Sequence, residues 1–477
     1  VERPGGQSRQ RAGDETPAPL DPTPLTEELG EADIPAGELG GESAAGPMVG
    51  SFAATGTIQL IQAVVGVLLA RILGPSDRGE LAAIILWPTL MTTIGSIGLA
   101  QAATYHASRA TRLGTVVGST LAIVAVDSVL LVAIGWAILP LALGGHDSGV
   151  VHEAQLFLTG FVPLNLLAVS MMSILNGSHR FAWFQSLRLI MIGSTGIGIG
   201  LLAATGEMTV SSAAAAYLAG FAIAGAVALA VTIRSVGAAE VGFSRETARD
   251  LLGFGSKSML SQSMWTLNER VDQLVISVFF SATSLGLYVV AVTLTSLTTL
   301  IGFSFALVAL PMIARLKVRS EQRQMARLIV SATLVCATLV SIPIFVFEPT
   351  LIRLLFGDSF AGAAGVGRVL LVAGVVFGLN RVLEALLQAV GKPLESSIGE
   401  GVALAVTAAG LAALLPTLGI MGAGITSLLA YSASSAFMVR RASGALGISS
   451  LSLLKPERGM VQGFRSIVRL VPGFGQR

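Results

Sequence analysis

From Met48 onward the chain is a succession of apolar runs, each long enough for a helix across a bilayer, separated by short polar breaks. A spanning helix needs about 20 mostly apolar residues. Twelve runs meet this length, at 48–72, 80–104, 114–141, 154–176, 182–204, 210–234, 257–280, 285–313, 327–348, 364–390, 395–415 and 420–440. Only 12% of the 477 residues are charged, against about 25% in a soluble domain. Both facts require an all-α polytopic membrane protein. Four units are expected: a disordered tail at 1–47, one six-helix lobe at 48–236, a second at 237–441, and a tail at 442–477.

The first tail is rich in Pro, Gly and acidic residues and nearly free of aromatics. It cannot bury enough apolar surface to offset chain entropy. It also lacks a signal-peptide pattern, so the first span is expected to direct insertion. The last tail carries Met460, Val461, Phe464, Val468 and Val471 on one side and Arg458, Arg465 and Arg469 on another. This reads as an interfacial helix on an anionic leaflet. The segment 245–256 reads as a second.

Loop charge sets the expected orientation. Arg109, Arg112, Arg180, Arg234, Arg245, Arg249, Lys257, Arg315, Lys317, Arg319, Arg323, Lys392, Arg440 and Arg441 fall in loops or span ends on one side. The other side has Arg71, Arg78, Arg353 and Arg368. The positive-inside rule puts the rich side, and both termini, in the cytoplasm.

The halves repeat. A shift of 207 places Thr55, Gln59, Gln62, Gly66 and Gly79 on Gln262, Thr266, Glu269, Gln273 and Gly286. A shift of 215 places Asn165 on Asn380. Two six-helix units of the same orientation form a parallel repeat, with an axis along the membrane normal.

The polar residues follow this repeat. At 100° per residue, Gln262, Thr266, Glu269 and Gln273 share one stripe of helix 7, flanked by Arg270 and Asp272. Ser51, Thr55, Gln59 and Gln62 line helix 1, and Asn380, Arg381, Glu384 and Gln388 share a face of helix 10. Three striped helices imply a hydrated central cavity between the lobes. The amides could instead cross-link helices, at about 0.6 kcal/mol per bond. Intramembrane charges cost roughly 2.5–3.5 kcal/mol each on insertion scales, which favours function for Glu269, Arg270, Asp272, Arg381 and Glu384. Arg381 and Glu384, three residues apart, could also satisfy each other. Asp127, in the middle of helix 3, is a candidate proton or sodium site. Cys336 is the sole cysteine and reads as a core residue. The four histidines show no ligand spacing, so no metal site is expected. No nucleotide-binding loop or nucleophile constellation points to an enzyme.

Several segments resemble a known family. They are RILGPSDRG at 71–79, DQLVI at 272–276 with LGLY at 285–288, LFG at 355–357 with Phe360 and Ala363, and LQAVGKP at 387–393. In this order they resemble polysaccharide-biosynthesis (O-antigen flippase-like) transporters of the multidrug/oligosaccharidyl-lipid/polysaccharide exporter superfamily. The resemblance implies two six-helix lobes around a central cavity. It implies a bacterial inner-membrane flippase that moves an undecaprenyl-diphosphate-linked glycan by alternating access. Arg270 and Arg381 would then contact the diphosphate. Gln59, Gln62, Gln262, Thr266, Gln273, Asn165, Asn380 and Gln388 would meet sugar hydroxyls. Glu269, Asp272, Glu384 and Asp127 would carry a coupling proton or sodium ion, with no other cofactor. Partners would be the lipid-linked glycan, the bilayer, a polysaccharide polymerase and glycosyltransferases, and not nucleic acid. The alternatives are a multidrug antiporter of the same superfamily and a non-transporting scaffold for envelope assembly.

Overall fold

A computed structural model describes residues 45–455, and their side chains except at 45–53 and 260–265. The tail 1–44, the expected interfacial helix beyond 455 and the side chains of Ser51 and Gln262 lie outside the described residues. Within them the chain is helical and carries no strand. The helices are α1 (Ala45–Gly95), α2 (Leu99–Arg109), α3 (Leu113–Ala142), α4 (Ser148–Gly177), α5 (Phe181–Thr205), α6 (Val210–Val236), α7 (Arg245–Phe279), α8 (Ala282–Ala314), α9 (Arg319–Leu355), α10 (Ala364–Ala389), α11 (Pro393–Leu418), α12 (Ile420–Leu446) and α13 (Ser450–Leu454).

Ten of these are long and apolar enough to span a membrane. The longest, α1, is two legs joined at Gly74, where φ is 76° and a side chain would be strained. Pro75 then starts the second leg, in the position where a missing N–H costs nothing. α7 falls outside the ten because charged and amide residues interrupt its apolar face. Counting the second leg of α1 and adding α7 gives the twelve legs expected. Large apolar side chains such as Val129, Leu141, Phe279 and Leu354 stand exposed on the outer faces. That is the pattern for a lipid-facing surface, where backbone polar groups are satisfied within helices.

Two local expectations need correction. The span at 80–104 is not one helix: it stops at Gly95 and restarts at Leu99. Ile97 (φ 48°) and Gly98 (φ 65°) both adopt left-handed backbone at the break, and a β-branched residue there is a genuine outlier. The segment 245–256 is not a separate interfacial helix but the continuous start of α7. Ser244 caps it by accepting from Thr247 N at 3.2 Å.

The legs form two lobes, α1–α6 and α7–α12, that meet differently at their two ends. At the arginine-poor end a single apolar core includes Leu69, Leu81 and Phe157 of the first lobe with Ile276, Leu285 and Phe360 of the second. At the arginine-rich end the lobes have separate cores. One is built around Met171, Ile174 and Leu187, the other around Ile313, Leu386 and Met438.

The shared end is held by backbone contact. A Cβ on Gly79 would overlap the carbonyl of Ala282, and one on Gly286 would overlap that of Pro75. Pro75 and Ala282, like Gly79 and Gly286, are one repeat shift apart. The contact is therefore self-complementary, as expected where a two-fold axis passes through an interface. Trp87 Nε1 donates to Ser277 Oγ (3.2 Å) and His146 Nε2 bonds the Ser277 carbonyl (2.9 Å) beside it. At the arginine-rich end the lobes touch where α2 meets α7 and where α3 meets the start of α7, Ser119 Oγ donating to the Ser244 carbonyl and accepting from Ser244 N, both at 3.1 Å. Between α2 and α7, Gly98 packs on Gly255, and Tyr105 stacks on Phe254 at 4.2 Å.

Candidate functional site

Charge inside the membrane gathers in the second lobe. The polar turn of α7 faces α8, α10, α11 and α12. Asp272 is buried (6% exposed) and accepts from the Tyr288 hydroxyl, from Ser427 Oγ at 3.4 Å and from Gln273 N at 2.7 Å. One turn earlier, Asn268 Nδ2 donates to Glu400 Oε2 at 2.7 Å. Glu400 also pairs with Arg381, whose Nη1 lies 2.9 Å from Glu384. The Arg381 guanidinium sits 4.9 Å over the Phe377 ring. Asn380 donates to the Tyr431 carbonyl at 3.1 Å and accepts from Ser435.

Helix starts aim these groups. Pro393 opens α11 and Glu395 sits in its first turn, favourable for the helix dipole. Glu400 is thereby carried two turns inward, against α7 and α10. A cavity of about 110 Å³ adjoins the cluster, lined by Glu269, Asp272, Thr295, Thr299, Phe377 and Tyr431 among others.

The cluster is unbalanced. Asp272, Glu384, Glu400 and the half-buried Glu269 face one buried guanidinium, Arg381. Buried charge is tolerated only when paired and hydrogen-bonded. Ionisable groups at membrane depth are costly, which makes this cluster a candidate functional site.

A second cavity, of about 210 Å³, lies at the α1–α2 break, between the first lobe and α7. Thr92, Thr93, Ser96, Gln101, Asn165 and Ser170 line it along with apolar Leu99, Leu166 and Val169 and with Met259 of α7, and no charged side chain does among the described residues. Thr92 and Thr93 bond carbonyls one turn back, at 2.8–3.0 Å, which leaves their lone pairs to the cavity. Ser170, 2% exposed, and Asn165 have no hydrogen-bond partner among the described residues.

The candidate residues thus divide. Glu269, Asp272, Gln273, Asn380, Arg381 and Glu384 come together in the second lobe. Asn165 lines the neutral cavity instead. Thr266 is buried on α7, Gln59 is half-buried on α1, and Gln62 and Gln388 are exposed. Arg270 is exposed and outside the ionic cluster, with no ion pair among the described residues. Asp127 is half-buried on α3, its Oδ2 without a partner among the described residues.

Sequence reasoning missed Glu400, Tyr288 and Tyr431. Glu400 stood between two glycines near a helix start, where an acid reads as a loop-facing residue. Its only signal was an ionisable group within a span. Glu348 was also missed: it is wholly buried on α9, with Arg368 at 3.5 Å.

Comparison with known proteins places this geometry in context. Residues 49–317 match the family described as polysaccharide biosynthesis protein. The chain is 21% identical over 366 residues to the probable low-salt glycan biosynthesis flippase Agl15 of Haloferax volcanii, covering 76% of this chain and 75% of that protein. Among solved structures it is similar to the lipid II flippase MurJ in an inward closed conformation. The TM-score is 0.72 at 15% identity, over 90% of this chain and 94% of that one. An inward-facing multidrug resistance MATE transporter of the MOP superfamily gives 0.66 at 18% identity, over 82% and 96%. These likenesses show the two-lobe helical transporter fold, and the relatives are transport proteins rather than enzymes. With its family match covering more than half its length, this multi-pass membrane protein belongs to the polysaccharide biosynthesis protein family.

Proposed function

We propose that the protein is a flippase for a lipid-linked oligosaccharide, an undecaprenyl-diphosphate-linked glycan, working by alternating access. The observation that carries this reading is the neutral cavity at the α1–α2 break. Its hydroxyls and amides, set beside apolar Leu99, Leu166, Val169 and Met259 and with no charge among the described residues, match a sugar ring, which offers many donors and acceptors, apolar C–H faces and no net charge. An apolar or cationic drug would leave Asn165 and Ser170 unpaired, and buried unpaired polar groups cost about 1–3 kcal/mol each. The lipid tail would stay in the bilayer, between the separate cores at the arginine-rich end.

The acidic cluster of the second lobe supplies the drive. Proton or sodium binding at Glu269, Asp272 or Glu384 would change the charge balance around Arg381. That biases the packing of α7 against α11. No further cofactor is needed. The arginine-rich loops support an orientation in the bacterial inner membrane with both termini in the cytoplasm. A polymerase and glycosyltransferases would act before and after transport. The same excess of carboxylates favours a second reading, a cation-exchanging multidrug antiporter.

Reconstituted vesicles test the choice. A fluorescent oligosaccharide on polyprenyl diphosphate should cross the bilayer under a proton or sodium gradient. Asn165→Ala should slow it several-fold. If the sugar never moves under either gradient while a cationic dye is expelled, the antiporter reading replaces this one.

A further inference from the structure

Three acids are buried among the described residues, and one of them lacks a donor. Asp272 and Glu400 accept hydrogen bonds from their neighbours. Glu348, on α9, is 0% exposed, and neither of its carboxyl oxygens has a hydrogen-bond partner among the described residues. Its ion pair is loose. Arg368 Nε, on α10, lies 3.5 Å from Oε2, and the Arg368 side chain is 45% exposed. The guanidinium rests 5.7 Å over the ring of Phe345, itself exposed on the outer face.

The carboxyl occupies a slot between three helices. A Cβ on Gly367 of α10 would overlap Oε1, and Ala291 of α8 borders the same space. Ala291, Ile352 and Val366 all belong to the shared core that closes the arginine-poor end. The other polar and charged groups of these helices at this end are engaged elsewhere. Tyr288 of α8 donates to Asp272, and Arg353 of α9 pairs with Asp358 at 3.7 Å on the exposed surface. Arg368 is therefore the one charge that faces Glu348 among the described residues.

A carboxylate ion held away from water and donors is far costlier than a neutral carboxylic acid, and a group so placed takes up a proton instead. Arg368 does not suffer from this, because its side chain already meets water.

We infer that Glu348 is a proton-binding site that gates the arginine-poor end. The carboxyl is neutral while the shared core is closed. When the lobes part there, water and Arg368 reach it. The proton then leaves to the water on that side, and the carboxylate pairs with Arg368. Closing takes a proton back. The closed state thus holds one proton more than the open one, so acid on that side favours closure and alkali favours opening. This gate is separate from the cluster around Arg381 and does not depend on what the carrier moves.

The full-length protein in nanodiscs tests the gate, with spin labels on Ser76→Cys and Thr283→Cys in a Cys336→Ala background. Raising the pH should move the label separation to longer values. In Glu348→Gln, neutral at every pH, the short separation should persist into alkali. Arg368→Gln removes the cation that receives the carboxylate, so the midpoint of lengthening should move to higher pH. Infrared difference spectra of the closed native protein should show a carboxylic acid C=O band that Glu348→Gln lacks. A native separation indifferent to pH overturns the gate, as does a Glu348→Gln profile that matches the native one. Absence of that band from the closed native protein also overturns it, since Glu348 would then be charged while buried. If Glu348→Gln does not fold, Arg368→Gln decides, and an unchanged midpoint there overturns the proposal.

Discussion

Arg381 shows how one residue can be half legible. Its pairing with Glu384, three positions along one helix, follows from spacing and is present at 2.9 Å. Its other partner, Glu400, comes from α11 and could not be read from α10 alone. The helical wheel gives a direction for each side chain but not the neighbour it meets. For the same reason Arg270, on a flank of the polar stripe, proves to be exposed, whereas Asp272 on the other flank is buried. The pairing makes a definite prediction. Arg381→Gln strands Glu384 and Glu400 together in a buried site, and breaking a buried pair this way costs about 3–5 kcal/mol. Folded yield and melting temperature in detergent should fall sharply. Adding Glu400→Gln removes one stranded carboxylate and should recover part of the loss. A single Arg381→Gln as stable as the native protein would mean that the cluster is already charge-balanced without it.

Most elements were legible because apolar length and loop charge dictate them, but their interruptions were not. The α1–α2 break falls inside an apolar run, and only Gly95 and Gly98 hinted at it. α7 is continuous because Ser244 caps it at the polar end and nothing within it stops a helix. The 207-residue repeat foretold more than topology: equivalent glycines, Gly79 and Gly286, meet each other at the lobe interface. Their lack of side chains lets α1 and α8 approach to backbone contact. Gly79→Ala should therefore prop this end open. Spin labels on Ser76→Cys and Thr283→Cys, exposed and one repeat shift apart, would report the separation in a Cys336→Ala background. The distance distribution should move to longer values, with slower transport. Unaltered distances in a folded variant would show that closure here does not depend on the glycine contact.

The two lobes were legible in the whole chain; the conformation was not, because it depends on which apolar faces choose each other. One shared core at the arginine-poor end and two separate cores at the other give a molecule closed on one side and divided on the other. The arginine-rich end has the thinner tie, made by α2 and α3 with α7 and by a Ser119–Ser244 hydrogen-bond pair, and its α2–α7 part is small. That part relies on the Tyr105–Phe254 stack and a glycine pair, and an aromatic pair is worth about 0.5–1.5 kcal/mol beyond its area. Access would thus begin at the arginine-rich end. A carrier loaded on the cytoplasmic side would turn that end to the cytoplasm, and loop charge predicts the same orientation. Single cysteines in the Cys336→Ala background decide it. Ser281→Cys lies at the arginine-poor end and His179→Cys at the other, and both positions are exposed. In intact cells a membrane-impermeant maleimide should label Ser281→Cys at once and His179→Cys only after permeabilisation. The opposite pattern would turn the molecule over. The divided end would then face outward, and loading from the cytoplasm would have to begin by breaking the shared core.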